Sequence, residues 1–140
     1  MVLESVATAV ITVIIGVLVY GSSQIVSKFA IEPVHKHDEI RGEIAHSLAY
    51  FADAYANPGL GTPKHGEASA KLREQACLLG SRTLLIRKYS VYSSLGLVPS
   101  RQKIQKACAN LIGISNQVNT PGTGTQNVQW AEETKQWLRL

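Results

Sequence analysis

The fold of this chain is decided by VATAVITVIIGVLVY, residues 6–20, an uncharged run that GSSQIV extends to Val26. No charged residue lies between Ser5 and Ser27, and a helix over them would be about 34 Å long, enough for a hydrocarbon core of about 30 Å. The run has no polar face, unlike a helix at a protein surface. It also lacks the basic start and short core of a signal peptide. The sequence therefore predicts a transmembrane anchor over residues 1–28.

Basic residues beside the predicted span indicate its orientation. Lys28, Lys36 and Arg41 follow it, and no basic residue precedes it. Because cytoplasmic loops carry the excess of Lys and Arg, we expect the N-terminus outside and the rest of the chain in the cytoplasm. Two cysteines without metal-ligand spacing, Cys77 and Cys108, are typical of buried free thiols in a reducing compartment.

The next part of the sequence predicts an all-α domain over residues 29–119. The connector FAIEP is expected to end the first helix or restart a new one at Pro33, because proline lacks an N–H and restricts the residue before it. Three helical segments follow, and we expect them to pack as a small antiparallel bundle. Residues 89–98 fit either a short helix or a strand.

Apolar residues at helical spacing define the inner faces of these segments. A segment ending near Ala56 and another from about Glu67 to Lys88 each have one apolar stripe, and leucines beside the second stripe suggest that this helix is the most buried. A third segment begins after Ser100, a plausible N-cap. The two stripes are Ile40, Ile44, Leu48, Phe51 and Tyr55, then Leu72, Ala76, Leu79, Thr83 and Ile86.

The C-terminal part reads as a linker followed by a short helix. TPGTGTQ, residues 120–126, has the composition of a flexible linker, and residues 127–140 form an amphipathic helix with Trp130 and Trp137 on one side. The two indoles could dock on a partner, lie at the membrane interface, or fold back to cap the core. The linker favours a reaching arm, and aromatic residues are enriched in interface cores, so partner docking is the leading expectation.

Small residues recur every four positions in the predicted span, at Thr8, Thr12 and Gly16. Such a stripe lets two membrane helices approach closely. It indicates self-association or packing on a partner's transmembrane helix, although small residues are also common in such helices without that role.

The charge of the chain argues against a nucleic-acid-binding protein. With a net charge of +4 and a pI of about 9.2 in 140 residues, it lacks the dense positive field of that class. The most basic stretch could contact an anionic surface such as an acidic lipid leaflet, or it could be an ordinary solvated surface. Its candidate residues are Arg82, Arg87, Lys88, Arg101 and Lys103.

Two sequence patterns contain residue types that can carry out chemistry. Arg41 and His46 have R-x4-H spacing, which resembles the motif of HEPN-type ribonucleases, where the histidine would act as acid–base and the arginine would stabilise phosphate charge. His35 and His37, even with His65 in a later loop, have the wrong number and spacing for zinc. We therefore expect no catalytic residue, no cofactor and no metal site.

Five short motifs in the domain occur together: Glu32-Pro33, GEIAH at 42–46, YANP at 55–58, LGLVPSR at 95–101 and LIGISN at 111–116. In this combination the domain resembles a set of uncharacterised small bacterial membrane proteins with one N-terminal transmembrane helix and a helical cytoplasmic domain. The resemblance covers residues 29–118 and implies a bacterial inner-membrane setting and one fold unit, but no activity.

These features lead to one principal hypothesis and two alternatives. The principal one is a non-enzymatic, membrane-anchored structural or accessory subunit, whose partners are the lipid bilayer and other subunits of a homo- or hetero-oligomeric complex. The first alternative is an oligomeric membrane effector or pore that senses a ligand, as in bacterial defence. The second is the HEPN-like ribonuclease.

Overall fold

The computed structural model describes the backbone of residues 2–140 and the side chains of residues 5–140; Met1, the first residue of the predicted anchor, lies outside this range. The all-α prediction is confirmed, since the described chain is helical and contains no strand. In chain order its helices are α1 (Val2–Val26), α2 (Glu32–Tyr50), α3 (Ala52–Ala56), α4 (Pro63–Leu85), α5 (Tyr89–Ser94), α6 (Arg101–Gln117) and α7 (Gly124–Leu138).

A wider, π-helical turn over Ser27–Ile31 joins α1 to α2. The N–H of Glu32 donates to the carbonyl oxygen of Ser27, five residues earlier. In a regular α-helix the ring of Pro33 presses against the carbonyl four residues earlier, and the extra residue in the turn relieves that clash. α2 therefore starts at Glu32 with Pro33 in its first turn, where a missing N–H is tolerated, and this agrees with the restart expected at Pro33. The helical path itself continues without interruption from Ser5 to Tyr50.

The two predicted inner faces form the centre of the helical domain. Ile44, Leu48 and Leu72 are fully buried, and every other member of the two stripes is buried as well. α4 packs against α2 on one side and α6 on the other, and α7 covers α6 and α3. The helical periodicity was therefore sufficient to identify the core of α2, α3 and α4.

The end of α4 departs from the expectation that this helix is the most buried. Leu84 is 75% exposed and Leu85 is 68% exposed. Because α4 packs mainly on α2 and α6, no helix in the described part of the chain covers the side that carries these two leucines. Residues 89–98, which the sequence left undecided, contain the short helix α5.

The C-terminal helix is packed into the domain and differs from the reaching arm that the linker suggested. α7 begins at Gly124, within the predicted linker, and Ala131 and Leu138 are fully buried. Trp130 and Trp137 are half-buried against the core, which corresponds to the fold-back alternative. Burying an apolar helix face gains more free energy than leaving it in water, and α6 offers a fitting surface.

That surface depends on a close approach between α6 and α7. A Cβ atom on Gly113 would lie 2.6 Å from Cζ3 of Trp130, so the indole ring rests directly on the backbone of α6. A glycine at this position is what the packing of the two helices requires.

Replacing Gly113 with alanine is therefore expected to lower the free energy of unfolding by about 1–3 kcal/mol, the usual cost of overpacking. Gly80→Ala is the matched control, because Gly80 also lies inside a helix but nothing lies within 4 Å of a Cβ added there. Helix propensity alone should then raise the free energy of unfolding of this variant by up to about 1 kcal/mol. Denaturant unfolding in mild detergent, followed by tryptophan fluorescence, measures both. Equal stabilisation of the two variants would contradict the close packing.

Candidate functional site

The longest run of exposed side chains among residues 5–140 lies on α1 and is mainly apolar. Its side chains from Ser5 to Tyr20 are all exposed, and they precede the helical domain on a helix that runs unbroken from Ser5 to Tyr50 over 46 residues. One described helix is thus long and apolar enough to cross a membrane. A continuous apolar surface of this size is unusual on a protein surrounded by water.

The small-residue stripe lies on this uncovered helix. The hydroxyl of Thr12 donates to the carbonyl oxygen of Thr8 over 2.8 Å, so that hydroxyl is satisfied within the helix. Nothing lies within 4 Å of a Cβ placed on Gly16. The stripe is therefore a surface of small side chains that another helix could approach closely, and the Thr12 hydroxyl needs no partner from that helix.

Directly after the π-helical turn, α2 is tied to the end of α4. Arg82 donates to the carbonyl oxygen of Lys36 over 3.1 Å and lies 3.8 Å from the carboxylate of Glu39. Lys36 also pairs with Glu32 over 2.5 Å, and its hydrogen bond and charge lower the pKa of the Glu32 carboxyl below the usual value. These contacts hold the continuous helix against the domain where it enters.

The five predicted anionic-surface residues are not equivalent in the structure. Arg82 makes the contacts just described, and the Arg101 guanidinium lies 5.3 Å from the centre of the Tyr89 ring, a cation–π distance. Arg87, Lys88 and Lys103 are exposed, and among the described side chains they make no ion pair. Contact with an anionic surface therefore stays a prediction that suits these three residues best.

A buried histidine lies near the start of α2. His37 is fully buried, and neither of its ring nitrogens has a hydrogen-bond partner among the described atoms. Its ring meets the ring of Tyr89 edge-on, with 6.1 Å between centroids. The Tyr89 hydroxyl donates to the carbonyl oxygen of Pro99 over 2.7 Å, so the tyrosine is satisfied while the histidine is not.

Burial determines the protonation of this pair. Loss of solvation, followed by repulsion from Arg41, lowers the pKa of His37 to about 4, although the Asp38 carboxylate opposes the shift. Burial also raises the pKa of Tyr89 to about 12. Both rings are therefore neutral near pH 7. His37 entered the sequence analysis only as an unsuitable zinc ligand, although its spacing from Ile40, three residues on, is the signal that indicates the buried face.

The structure places Arg41 and His46 in separate environments. Arg41 Nε donates to the carbonyl oxygen of Leu138 over 2.9 Å, and its Nη1 pairs with Asp38 over 2.6 Å. His46 is exposed and stacks on Tyr50, with 6.0 Å between ring centroids. Five residues along a helix correspond to about 140°, so the two side chains do not converge within one chain. Arg41 instead satisfies the C-terminal carbonyl groups of α7, a favourable position for a cation.

The other histidines also have local partners. His35 is exposed and lies 3.9 Å from the Glu39 carboxylate. His65 is buried; its Nε2 donates to the carbonyl oxygen of Asn57 over 3.0 Å, while the Thr62 hydroxyl lies 2.6 Å from its Nδ1. Within residues 5–140 no three His, Cys, Asp or Glu side chains are grouped so as to hold a metal ion.

The two cysteines line one groove between α4 and α6. Cys77 is exposed, contrary to the expectation that both thiols are buried, and Cys108 is half-buried with its Sγ donating to the carbonyl oxygen of Ala76 over 3.4 Å. Burial and the neighbouring Cys77 raise the pKa of Cys108 to about 11. Cys108 is therefore a protonated, poorly nucleophilic thiol near neutral pH.

Comparison with known proteins finds no match to this chain among protein-family models, curated sequences or solved structures.

Proposed function

We propose that this protein is a non-enzymatic, membrane-anchored structural or accessory subunit of a homo- or hetero-oligomeric membrane complex. The observation that carries the proposal is the 46-residue helix Ser5–Tyr50, whose apolar first half is uncovered and whose second half belongs to the core of the domain. A helix shared by the span and the domain fixes where the domain lies relative to the membrane, which is a structural role and not a catalytic one. Arg41 and His46, the strongest catalytic pattern in the sequence, contact different partners: Arg41 binds Asp38 and the end of α7, and His46 stacks on Tyr50.

The proposed location is the inner membrane of a bacterium, with the N-terminus outside and the domain in the cytoplasm. Lys28, Lys36 and Arg41 follow the span within the distance over which basic residues influence orientation. Satisfied backbone groups throughout a helical span suit a hydrocarbon environment.

Two features support assembly with other subunits. The stripe of Thr8, Thr12 and Gly16 leaves one face of α1 open to close approach. The domain, which we propose is an antiparallel bundle, is small enough that its core is marginal alone, so burial against a neighbour would add stability.

Crosslinking in native membranes tests this proposal. We expect the full chain to form a defined crosslinked species, and we expect Gly16→Ile to reduce its yield by about tenfold, because losing about 1.4 kcal/mol of helix packing has that effect. Gly21→Ile is the matched control, since it adds the same side chain to α1 where nothing else lies within 4 Å, but off the stripe.

The proposal fails if the wild-type chain is recovered from membranes only as a monomer. If Gly16→Ile and Gly21→Ile reduce crosslinking equally, association does not use the small-residue stripe.

A further inference from the structure

The end of the domain nearest to α1 lies beside the first residues that follow the predicted span. Leu85, at the end of α4, lines a cleft together with Lys28. Leu97, after α5, lines a second cleft together with Ile31. The α4 end and the segment after α5 therefore lie at the level of residues 28–31.

The depth of these residues follows from helix geometry. Ile31 lies four positions after Ser27, the end of the uncharged run, which corresponds to at most about 6 Å at the α-helical rise per residue. The polar layer on each side of a bilayer is about 5–8 Å thick. If α1 spans the bilayer, Leu85 and Leu97 lie in the headgroup layer rather than in bulk water.

Apolar side chains in the two segments that form this end are exposed to an unusual degree. Leu85 is 68% exposed and Leu97 is 52% exposed. Their near neighbours in the chain are exposed as well: Leu84, which lines the groove between α4 and α6, by 75%, and Leu95, two residues before Leu97, by 67%. Single exposed leucines are normal on a protein surface, but several leucines from two segments at one end of a domain indicate a contact surface.

The charges at the same end favour an anionic contact. Arg87 and Lys88 follow Leu85 by two and three residues and make no ion pair among the described side chains. The carboxylates on the neighbouring part of α2 each face a cation, which reduces their repulsion of an anion. These pairs are Glu32 with Lys36, Asp38 with Arg41, and Glu39 with Arg82.

We propose that this surface, the membrane-facing end, lies in the headgroup layer and binds anionic phospholipids. It is defined by Leu84, Leu85, Arg87, Lys88, Leu95 and Leu97. The leucines enter the interface and the two cations contact lipid phosphates, as in interfacial amphipathic elements. The assignment rests on the proposed function, since only an anchored chain brings this end to lipid. Its consequence is a domain held in one orientation on the membrane.

Site-specific labelling of the full chain tests the assignment. In a background with Cys77→Ser and Cys108→Ala, Leu95→Cys is labelled with an environment-sensitive fluorophore and reconstituted into phosphatidylcholine–phosphatidylglycerol vesicles that contain a headgroup-nitroxide lipid. Leu60→Cys is the matched control. The exposed fraction of Leu60, 69%, is close to the 67% of Leu95, but Leu60 lies in the loop that follows α3, at the opposite end of the domain. We expect a blue-shifted, several-fold more strongly quenched signal at position 95 than at position 60.

A third label separates this inference from the proposed function. Val13→Cys, in the middle of α1, should be quenched by a nitroxide placed deep in the acyl chains. Quenching at position 13 with equal signals at positions 95 and 60 overturns the membrane-facing end and leaves the anchor intact. Absence of quenching at position 13 overturns the anchor, and the inference falls with it. A blue shift at position 95 without lipid quenching means that protein covers this end, which also overturns the inference.

The charges are tested in the same vesicles. Arg87→Gln with Lys88→Gln should reduce quenching at position 95 when phosphatidylglycerol is present and have little effect in phosphatidylcholine alone. Lys71→Gln with Arg73→Gln removes the same charge from another part of α4 and should change neither. An equal response from both pairs would mean that net charge, and not this end of the domain, attracts the lipid.

Discussion

Replacing Ile14 and Val17 with arginine is expected to stop the chain from integrating into membranes. Both side chains are exposed near the middle of the uncharged run, at 53% and 66%. An arginine at the centre of a membrane helix costs about 3 kcal/mol on insertion scales, so two cost about 6 kcal/mol. This corresponds to a change on the order of ten-thousand-fold in the insertion equilibrium.

The measurement is the fraction of full-length chain that stays in the membrane pellet after alkaline extraction. Wild type should remain in the pellet, and the Ile14→Arg, Val17→Arg variant should appear in the soluble or aggregated fraction. Leu60→Arg with Val128→Arg is the control, because it places the same charges on exposed apolar positions of the helical domain. Resistance of the α1 variant to extraction would show that hydrocarbon does not surround this helix.

Acidification is expected to destabilise the helical domain through His37. Its folded-state pKa of about 4 lies below the ordinary histidine value of 6.5, so the unfolded chain binds the proton more readily. The stabilising contribution is therefore complete above pH 6.5 and is lost as the pH falls towards 4. A difference of 2.5 pKa units amounts to about 3 kcal/mol.

His37→Phe isolates this effect, because it keeps a ring against Tyr89 and removes the titrating nitrogens. The free energy of unfolding is measured in mild detergent between pH 7 and 4, with the half-buried Trp130 and Trp137 as reporters. The variant should lose the His37 part of the pH dependence, while His46→Gln, at an exposed position, should keep it. Carboxyl groups with lowered pKa values, such as Asp53, contribute in the same direction, so the difference between variants is the quantity compared. Identical slopes in wild type and His37→Phe would refute the prediction.

Local patterns predicted much of the architecture. The uncharged run of α1, the inner faces of α2 and α4, and the cap at Ser100, whose Oγ accepts from the Lys103 N–H over 3.4 Å, all depend on residues a few positions apart. Such patterns are visible in a single sequence because helix periodicity and capping are local. The same reasoning could have included His37 in the buried face of α2, since it follows the spacing of Ile40 and Ile44.

Other outcomes depend on residues far apart in the chain. Arg41 donates to the carbonyl oxygen of Leu138, 97 residues away. Trp130 of α7 rests on Gly113 because α6 presents a backbone without a side chain at that position. No periodicity in α7 distinguishes an arm from a packed helix, since both require one apolar face. The same limit explains why Leu84 and Leu85 were expected to be buried.

The amino-acid order alone was enough to establish an apolar helix without charge, an all-helical domain after it, and the stripes along which α2 and α4 bury their side chains. Those properties follow from hydrophobicity and helix geometry within a few turns. Tertiary packing decided that His37 is enclosed without a partner and that α7 folds back onto α6. Each of these depends on which surfaces meet, because burial and close approach are properties of two segments together.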